Sequence, residues 1–225
     1  MNVNEKIETQ VEAAEKRWRE GWKQGPTRLR WEVMPVQVGD QAPDLMLAGS
    51  TGNQTQLSSL WADGPALILF WRHYGCGCGI DRAERLRNEY ADYVGAGATV
   101  AVIGQAEPER SAAYATKYSL PCMVLCDPDQ DAYDAYGLLE GKPSQILFDA
   151  PDDILNCDYD AGLALAQKRR ELGRPFVDNP WLLPAEFVVD RKGTIRLAYR
   201  YQYCEDFPNS LVHVAAIKEA RLTSD

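Results

Sequence analysis

The chain has 225 residues, of which 45% are hydrophobic and 25% charged, with 24 basic and 33 acidic side chains and a formal charge of −9. Such a composition suits one ordinary globular domain with additions and excludes a collagen-like, low-complexity or wholly disordered chain. The acidic surplus argues against a nucleic-acid partner and against adsorption to an anionic membrane.

The apolar stripe Ile7, Val11, Ala14, Trp18 and Trp22 predicts a helix over residues 4–24, stopped by Gly25-Pro26. It precedes the main domain and is expected to pack on that domain or on a second subunit, so a homodimer is a possible partner arrangement. Val38 to Leu45 reads as a loop leading into a short extended segment. Residues 51–60 read as a hairpin turn followed by a helix start at Leu57-Ser58-Ser59-Leu60. Ala66 to Trp71 is a continuous apolar run of the length of a strand buried on both faces. The segment Arg72-His73-Tyr74-Gly75-Cys76-Gly77-Cys78-Gly79 follows, then helical texture from Ile80 to Val94, ended by Gly95-Ala96-Gly97. Ala98–Gly104 is a second buried strand, Pro108–Tyr118 a helix, Met123–Cys126 a third strand and Asp131–Gly137 a short helix. Residues 138–180 are less regular, with helix expected from Ala161 to Leu172, and read as an insertion. Pro184–Asp190 and Thr194–Tyr199 form a hairpin, and Leu211–Leu222 a last helix. Residues 1–36 are thus read as a helical extension and residues 37–225 as one domain with an insertion. The alternation predicts an α/β fold: a mixed central sheet with helices on both faces.

The N-terminal residues show no apolar stretch behind a basic start and no run approaches the length of a membrane span. With six cysteines, the expectation is a reducing, cytoplasmic setting with free thiols.

Four segments resemble the thioredoxin superfamily, in its AhpC/TSA, peroxiredoxin-like branch. Phe70-Trp71 precedes cysteines at a helix start. Gly39-Asp40-Gln41-Ala42-Pro43-Asp44 is similar to that branch's entry. Leu125-Cys126-Asp127-Pro128-Asp129 with Ala135-Tyr136-Gly137 resembles its next strand and helix. Pro184 to Gly193 is similar to its late strand and turn. The resemblance implies a thioredoxin-like three-layer fold and a thiol oxidoreductase that reduces peroxides or protein disulfides, needs no cofactor, and is itself reduced by an external thiol. Two departures stand out. His73 or Gly75 occupies the place of the branch's usual Thr, and Pro184, which resembles the cis-proline of thioredoxins, occupies the place of a usual Arg. The spacing is Cys-x-Cys, with Gly79 where a second Cys is usual.

Thiolate is the reactive form of cysteine. A helix start favours the anion, Arg72 adds charge nearby and His73 reads as a second cation or a proton shuttle. Cys76 is therefore the expected nucleophile, with a depressed pKa, and Cys78 the expected resolving thiol. The glycines around them lead one to expect exposed sulfurs. Residues two apart on a regular helix point to opposite sides, so closing Cys76 to Cys78 demands local extension, or else a partner elsewhere. Cys204 and Cys126 are the alternative resolving candidates. Cys204 should be carried back to the site by a strand through Tyr199, Tyr201 and Tyr203. Pro184 is expected to present backbone to a substrate. Two other classes remain: a copper or zinc protein using His73, Cys76 and Cys78, with His213 the other His, and a non-enzymatic partner-binding module. The acidic cluster Asp149, Asp152, Asp153, Asp158 and Asp160 reads as solvated surface.

Overall fold

The computed structural model describes residues 2–147 and 151–223. Helix α1 (Val3–Gln24) is capped by Asn2, whose side chain accepts from the Glu5 amide while Glu5 reaches back. Strands β1 (Met46–Gly49) and β2 (Gln54–Gln56) form the first hairpin, followed by one 3-10 turn at Leu57–Leu60. Then come β3 (Ala66–Phe70), α2 (Gly77–Ala96), β4 (Thr99–Gly104), α3 (Pro108–Lys117), β5 (Met123–Cys126) and α4 (Asp131–Ala135). Among the described residues the next stretch holds α5 (Pro143–Ile146), α6 (Asp152–Leu155) and α7 (Tyr159–Glu171). Strands β6 (Ala185–Val189) and β7 (Ile195–Arg200) and helix α8 (Ser210–Leu222) complete the chain.

The seven strands lie in the order β2-β1-β5-β4-β3-β6-β7. β3, β4 and β5 are parallel, as their helical crossovers require, whereas β6 runs antiparallel to β3. Every residue of β3 is buried, because alternate side chains feed two cores. Ile68 and Phe70 pack with Tyr133, Tyr136 and Phe187 on one face. Leu67 and Leu69 pack with Leu86, Tyr93 and Ile217 on the other, under α2 and α8. Among the described residues no helix is long and apolar enough to cross a membrane.

The helical extension docks on its own domain. Trp18 and Trp22 stack with each other, Trp18 stacks on Phe176 at 4.7 Å and Trp22 on Trp181 at 4.9 Å. Ile146, Ile154 and Leu183 close this third apolar cluster. A buried bidentate pair from Arg110 to Asp178 (2.7 and 3.2 Å), with Arg17 reaching Asp178 at 3.4 Å, ties α1, α3 and the segment before β6 together. The stretch read as an irregular insertion is therefore a helical cover joined to α1.

Two expectations are corrected. Helix α2 starts at Gly77, not Ile80, with Cys76 as its N-cap and Gly97 in the left-handed conformation closing its end. β7 ends at Arg200, so Tyr201 and Tyr203 do not continue the strand: Tyr201 is buried with its hydroxyl donating to Glu186, and the chain turns at residues 202–204. Of the acidic cluster, Asp149 lies outside the described residues. Asp158 caps α7, accepting from the Ala161 amide at 2.8 Å, and Asp152, Asp153 and Asp160 occupy first turns, so helix termini account for them.

Candidate active site

The loop after β3 is pinned before it reaches the cysteines. The Trp71 amide continues the ladder to Ile103 at 2.8 Å. The Tyr133 hydroxyl donates to the Trp71 carbonyl at 2.6 Å, and the Trp71 indole donates to the Tyr114 hydroxyl at 3.1 Å. Tyr74 stacks on Tyr114 at 4.0 Å and donates to Ser111. Cys76 then caps α2 in an extended conformation (φ −72°, ψ 138°). Because Cys76 is outside the helix proper, the opposite-sides rule for residues two apart does not apply, and both thiols line the same cavity.

The glycines do not leave the sulfurs open. A Cβ on Gly75 would stand 2.1 Å from the Pro175 carbonyl oxygen, and one on Gly79 would stand 2.8 Å from the Tyr114 hydroxyl. They are glycines so that backbone and aromatic groups can approach, and the approaching groups supply the cover. Cys78 is only 4% exposed and Cys76 half-buried.

Arg72 is buried at 3% exposure. It donates to Cys76 Sγ at 3.0 Å, to the Leu182 carbonyl at 3.1 Å and to the Pro180 carbonyl. These carbonyls hold the guanidinium without neutralising it, which leaves its charge for sulfur. Cys76 is drawn down to about 5 from an ordinary 9.0, chiefly because the Cys78 thiol donates to it and then because of Arg72, with burial opposing. Cys78 is pushed well above the ordinary thiol range by its interactions with Cys204 and then Cys76, and burial adds. Cys204 is lowered, first by Cys78 and then by Arg72. His73 is held well below the ordinary imidazole range by burial, Arg72 and Arg169. It supplies no positive charge, which corrects its reading as a cation; its ring meets Phe176 edge-on at 5.9 Å.

The other predicted residues are placed as follows. Cys204 comes back to the site in the turn after β7, 4% exposed, with its amide donating to the Gln145 carbonyl at 2.9 Å and its thiol to the Ile146 carbonyl at 3.3 Å. Cys126 ends β5, on the far side of β4 from β3, beside Ser111; burial raises its pKa. Burial pushes Cys122 up to about 12. Pro184 borders a slot with Cys78 and Cys204, but no peptide bond among the described residues is cis, so the cis geometry expected at Pro184 is absent. His213 is buried against Glu186, within a network that includes Arg82 and Tyr201, and serves the core. Among the described residues no group of three His, Cys, Asp or Glu is placed to hold a metal ion.

Above the sulfurs lies a cavity of about 280 Å³, floored by Arg72, Cys76 and Cys78 and walled by Trp18, Trp22 and Phe176. Arg169 of α7 also lines it. It donates to the Gly75 carbonyl at 2.7 Å and lies over the Phe176 ring, while the carboxylates of Glu8 and Glu15 pair with its neighbour Arg170. Sequence reasoning missed Arg169 and the tryptophan walls. Arg169 sits in a basic last turn, Lys168-Arg169-Arg170, which helix-dipole complementarity already explains.

The model of the AhpC/TSA family matches residues 38–198. The chain belongs to the AhpC/TSA family. A curated relative, the "Thioredoxin-like protein AAED1, chloroplastic" of Arabidopsis thaliana, is 27% identical over 90 residues, which is 40% of this chain and 36% of that protein. Among solved structures, the peroxidoxin BcpB of Mycobacterium tuberculosis superposes with a TM-score of 0.59 at 16% identity, covering 82% of this chain and 97% of that one. A peroxiredoxin-like protein from Aquifex aeolicus gives 0.56 at 14%, covering 87% and 92%. A putative thiol:disulfide interchange protein DsbE from Chlorobium tepidum gives 0.51 at 18%, covering 84% and 98%. At these identities the likeness establishes the thioredoxin-like AhpC/TSA fold. Helix α1 lies outside the residues that the family model matches, whereas α5 to α7 lie within them.

One consequence is measurable directly. The Cys76 thiolate forms as pH rises through about 5, so alkylation of Cys76 by iodoacetamide should climb through that pH and be flat by neutrality. An ordinary thiol, with a pKa of about 8.5, would still be climbing above neutrality. A Cys76 profile that keeps rising to alkaline pH would contradict the geometry described.

Proposed function

We propose that the protein is a thiol peroxidase in which Cys76 reduces an organic hydroperoxide and Cys78 resolves the product. The observation that carries this is the Arg72 guanidinium at 3.0 Å from Cys76 Sγ on the floor of a covered cavity. The Cys76 thiolate attacks the terminal peroxide oxygen, the O–O bond breaks, and Cys76 becomes a sulfenic acid while the alkoxide takes a proton and leaves as alcohol. The Cys78 thiol then attacks the Cys76 sulfur, an S–S bond forms and water departs. An external small-molecule thiol returns the disulfide to two thiols. Arg72 steadies the thiolate before attack and the negative charge that spreads onto the peroxide oxygens during it.

The AhpC/TSA membership and the peroxidoxin and thiol:disulfide neighbours support thiol chemistry. The cover favours a small hydroperoxide over a disulfide on a folded protein, because the substrate must enter between α1, α7 and the Phe176 segment. The cavity also exceeds what hydrogen peroxide needs, since one water occupies roughly 30 Å³ of liquid volume. Its aromatic walls bind an apolar body, and each apolar group buried there adds about 1–3 kcal/mol. Cumene hydroperoxide should therefore oxidise Cys76 about tenfold or more faster than hydrogen peroxide does.

The test is a peptide map after one equivalent of either peroxide is added to the reduced protein. Rapid oxidation confined to the Cys76–Cys78 peptide is the expected result. Slow oxidation spread over all six cysteines would overturn the reading.

A further inference from the structure

Three cysteines line one cavity. Cys78 acts on both of the others, lowering the pKa of Cys76 and of Cys204. All three line the same cavity, and Arg72 faces all three. Cys78 and Cys204 share a second, small slot with Pro184, Arg82, Glu186 and Tyr201, which Cys76 does not reach. Cys204 is held there by its amide and thiol bonds to Gln145 and Ile146. Cys78 thus shares the cavity with Cys76 and both the cavity and the slot with Cys204.

We propose that oxidation passes along this row: a first Cys76–Cys78 disulfide is exchanged by Cys204 for a Cys78–Cys204 disulfide, which releases Cys76. This rests on the peroxidase reading above and extends it. The exchange is balanced within the chain. The Cys204 thiolate attacks Cys78 Sγ, a Cys78–Cys204 bond forms, the Cys76–Cys78 bond breaks, and Cys76 leaves as thiolate with the electron pair. No further oxidant or reductant is consumed.

Direction follows from chemistry. A disulfide closed over the single residue Gly77 forms a small, strained ring that exchanges readily. Exchange is faster when the leaving thiol is the more acidic one, and Cys76, beside Arg72, is the acidic member. Cys204 lies next to Cys78, so Cys78 is the sulfur it attacks. The new link joins the start of α2 to the turn after β7 between two residues that are each 4% exposed. External thiols then reach the stored oxidation only by reversal through the half-buried Cys76. Cys76, set free, can meet a second peroxide.

The test is a time course on the full chain with one equivalent of cumene hydroperoxide, quenched by acid and alkylation, then digested with trypsin. Cys76 and Cys78 share the peptide 73–82, and Cys204 lies in 201–218. The expected sequence is an internal disulfide in 73–82 first, replaced by a cross-link from Cys78 to 201–218 with Cys76 alkylated. Without reductant the protein should consume about two equivalents of peroxide rather than one. Cys204→Ser should stop at the internal disulfide and at one equivalent. Cys78→Ser should leave Cys76 as sulfenic or sulfinic acid with no cross-link. A wild-type end product still linking Cys76 to Cys78, or a Cys76–Cys204 cross-link in Cys78→Ser at the wild-type rate, overturns the relay while leaving the peroxidase reading intact. A course in which Cys76 at no time enters a disulfide or a sulfenic acid overturns both. The wild-type course decides the matter even if a variant misfolds.

Discussion

Replacing Arg72 by Met should slow the reaction of Cys76 with peroxide or iodoacetamide at pH 7 by about ten- to a hundredfold. Arg72 contributes charge and a hydrogen bond to Cys76, and loss of both moves the thiol from about 5 towards its ordinary 9.0. At an ordinary thiol pKa about one percent to a few percent is thiolate at neutral pH. The Cys78 hydrogen bond survives the change, which is why the slowing spans a range rather than reaching its limit. The sign is testable by pH: the deficit should shrink as pH rises past the new pKa, and the plateau of the wild type should become a slope. The substitution also strands the Leu182 and Pro180 carbonyls, at about 1–3 kcal/mol for each buried group left unpaired. Arg72→Lys separates the two effects, because an ammonium keeps the charge but not the fork that serves sulfur and two carbonyls together. Ultraviolet thiolate absorbance against pH reads the pKa without any substrate. An Arg72→Met protein that folds and keeps the wild-type profile would remove Arg72 from the site.

Much of this site is legible in the sequence, for a local reason. The run Ala66 to Trp71 marks a strand buried on both faces, and the parallel alternation that follows puts its carboxyl end where functional groups gather. Arg72, Cys76 and Cys78 follow within eight residues, so strand and loop alone bring them together. The start of α2 is misread because three glycines depress helix propensity. For Gly75 and Gly79 the reason is tertiary: Pro175 and Tyr114 come too close for a Cβ. The charge on His73 is misjudged in the same way, since only the fold reveals that Arg169 joins Arg72 beside it. The cover has no periodic signature. Trp22 meets Trp181 and Gly162, and Arg17 meets Asp178, across more than a hundred residues of chain. Irregular composition over 138–180 therefore reads as an insertion without revealing that it packs on the stripe of α1.

The second large effect is expected at that junction. Trp22→Ala should cost about 3–5 kcal/mol of stability, as for other fully buried large side chains. Trp22 is 2% exposed, stacks on Trp18 and Trp181, and donates from its indole to the Asp158 carbonyl at 3.2 Å. A Cβ on Gly162 would lie 2.1 Å from the indole nitrogen, so the ring fills its place completely and its removal leaves a void rather than a collapse. The loss should appear as a lower denaturant midpoint. It should also reach the site, because Trp22 walls the cavity over Cys76. The preference for cumene hydroperoxide over hydrogen peroxide should fall towards unity, whereas the pH midpoint of Cys76 should stay near 5, since its causes, Cys78 and Arg72, lie beneath the cover. The pairing of a changed preference with an unchanged pKa distinguishes a lost wall from a generally loosened protein. If stability falls and the preference between peroxides does not, then α1 holds the fold without shaping the site.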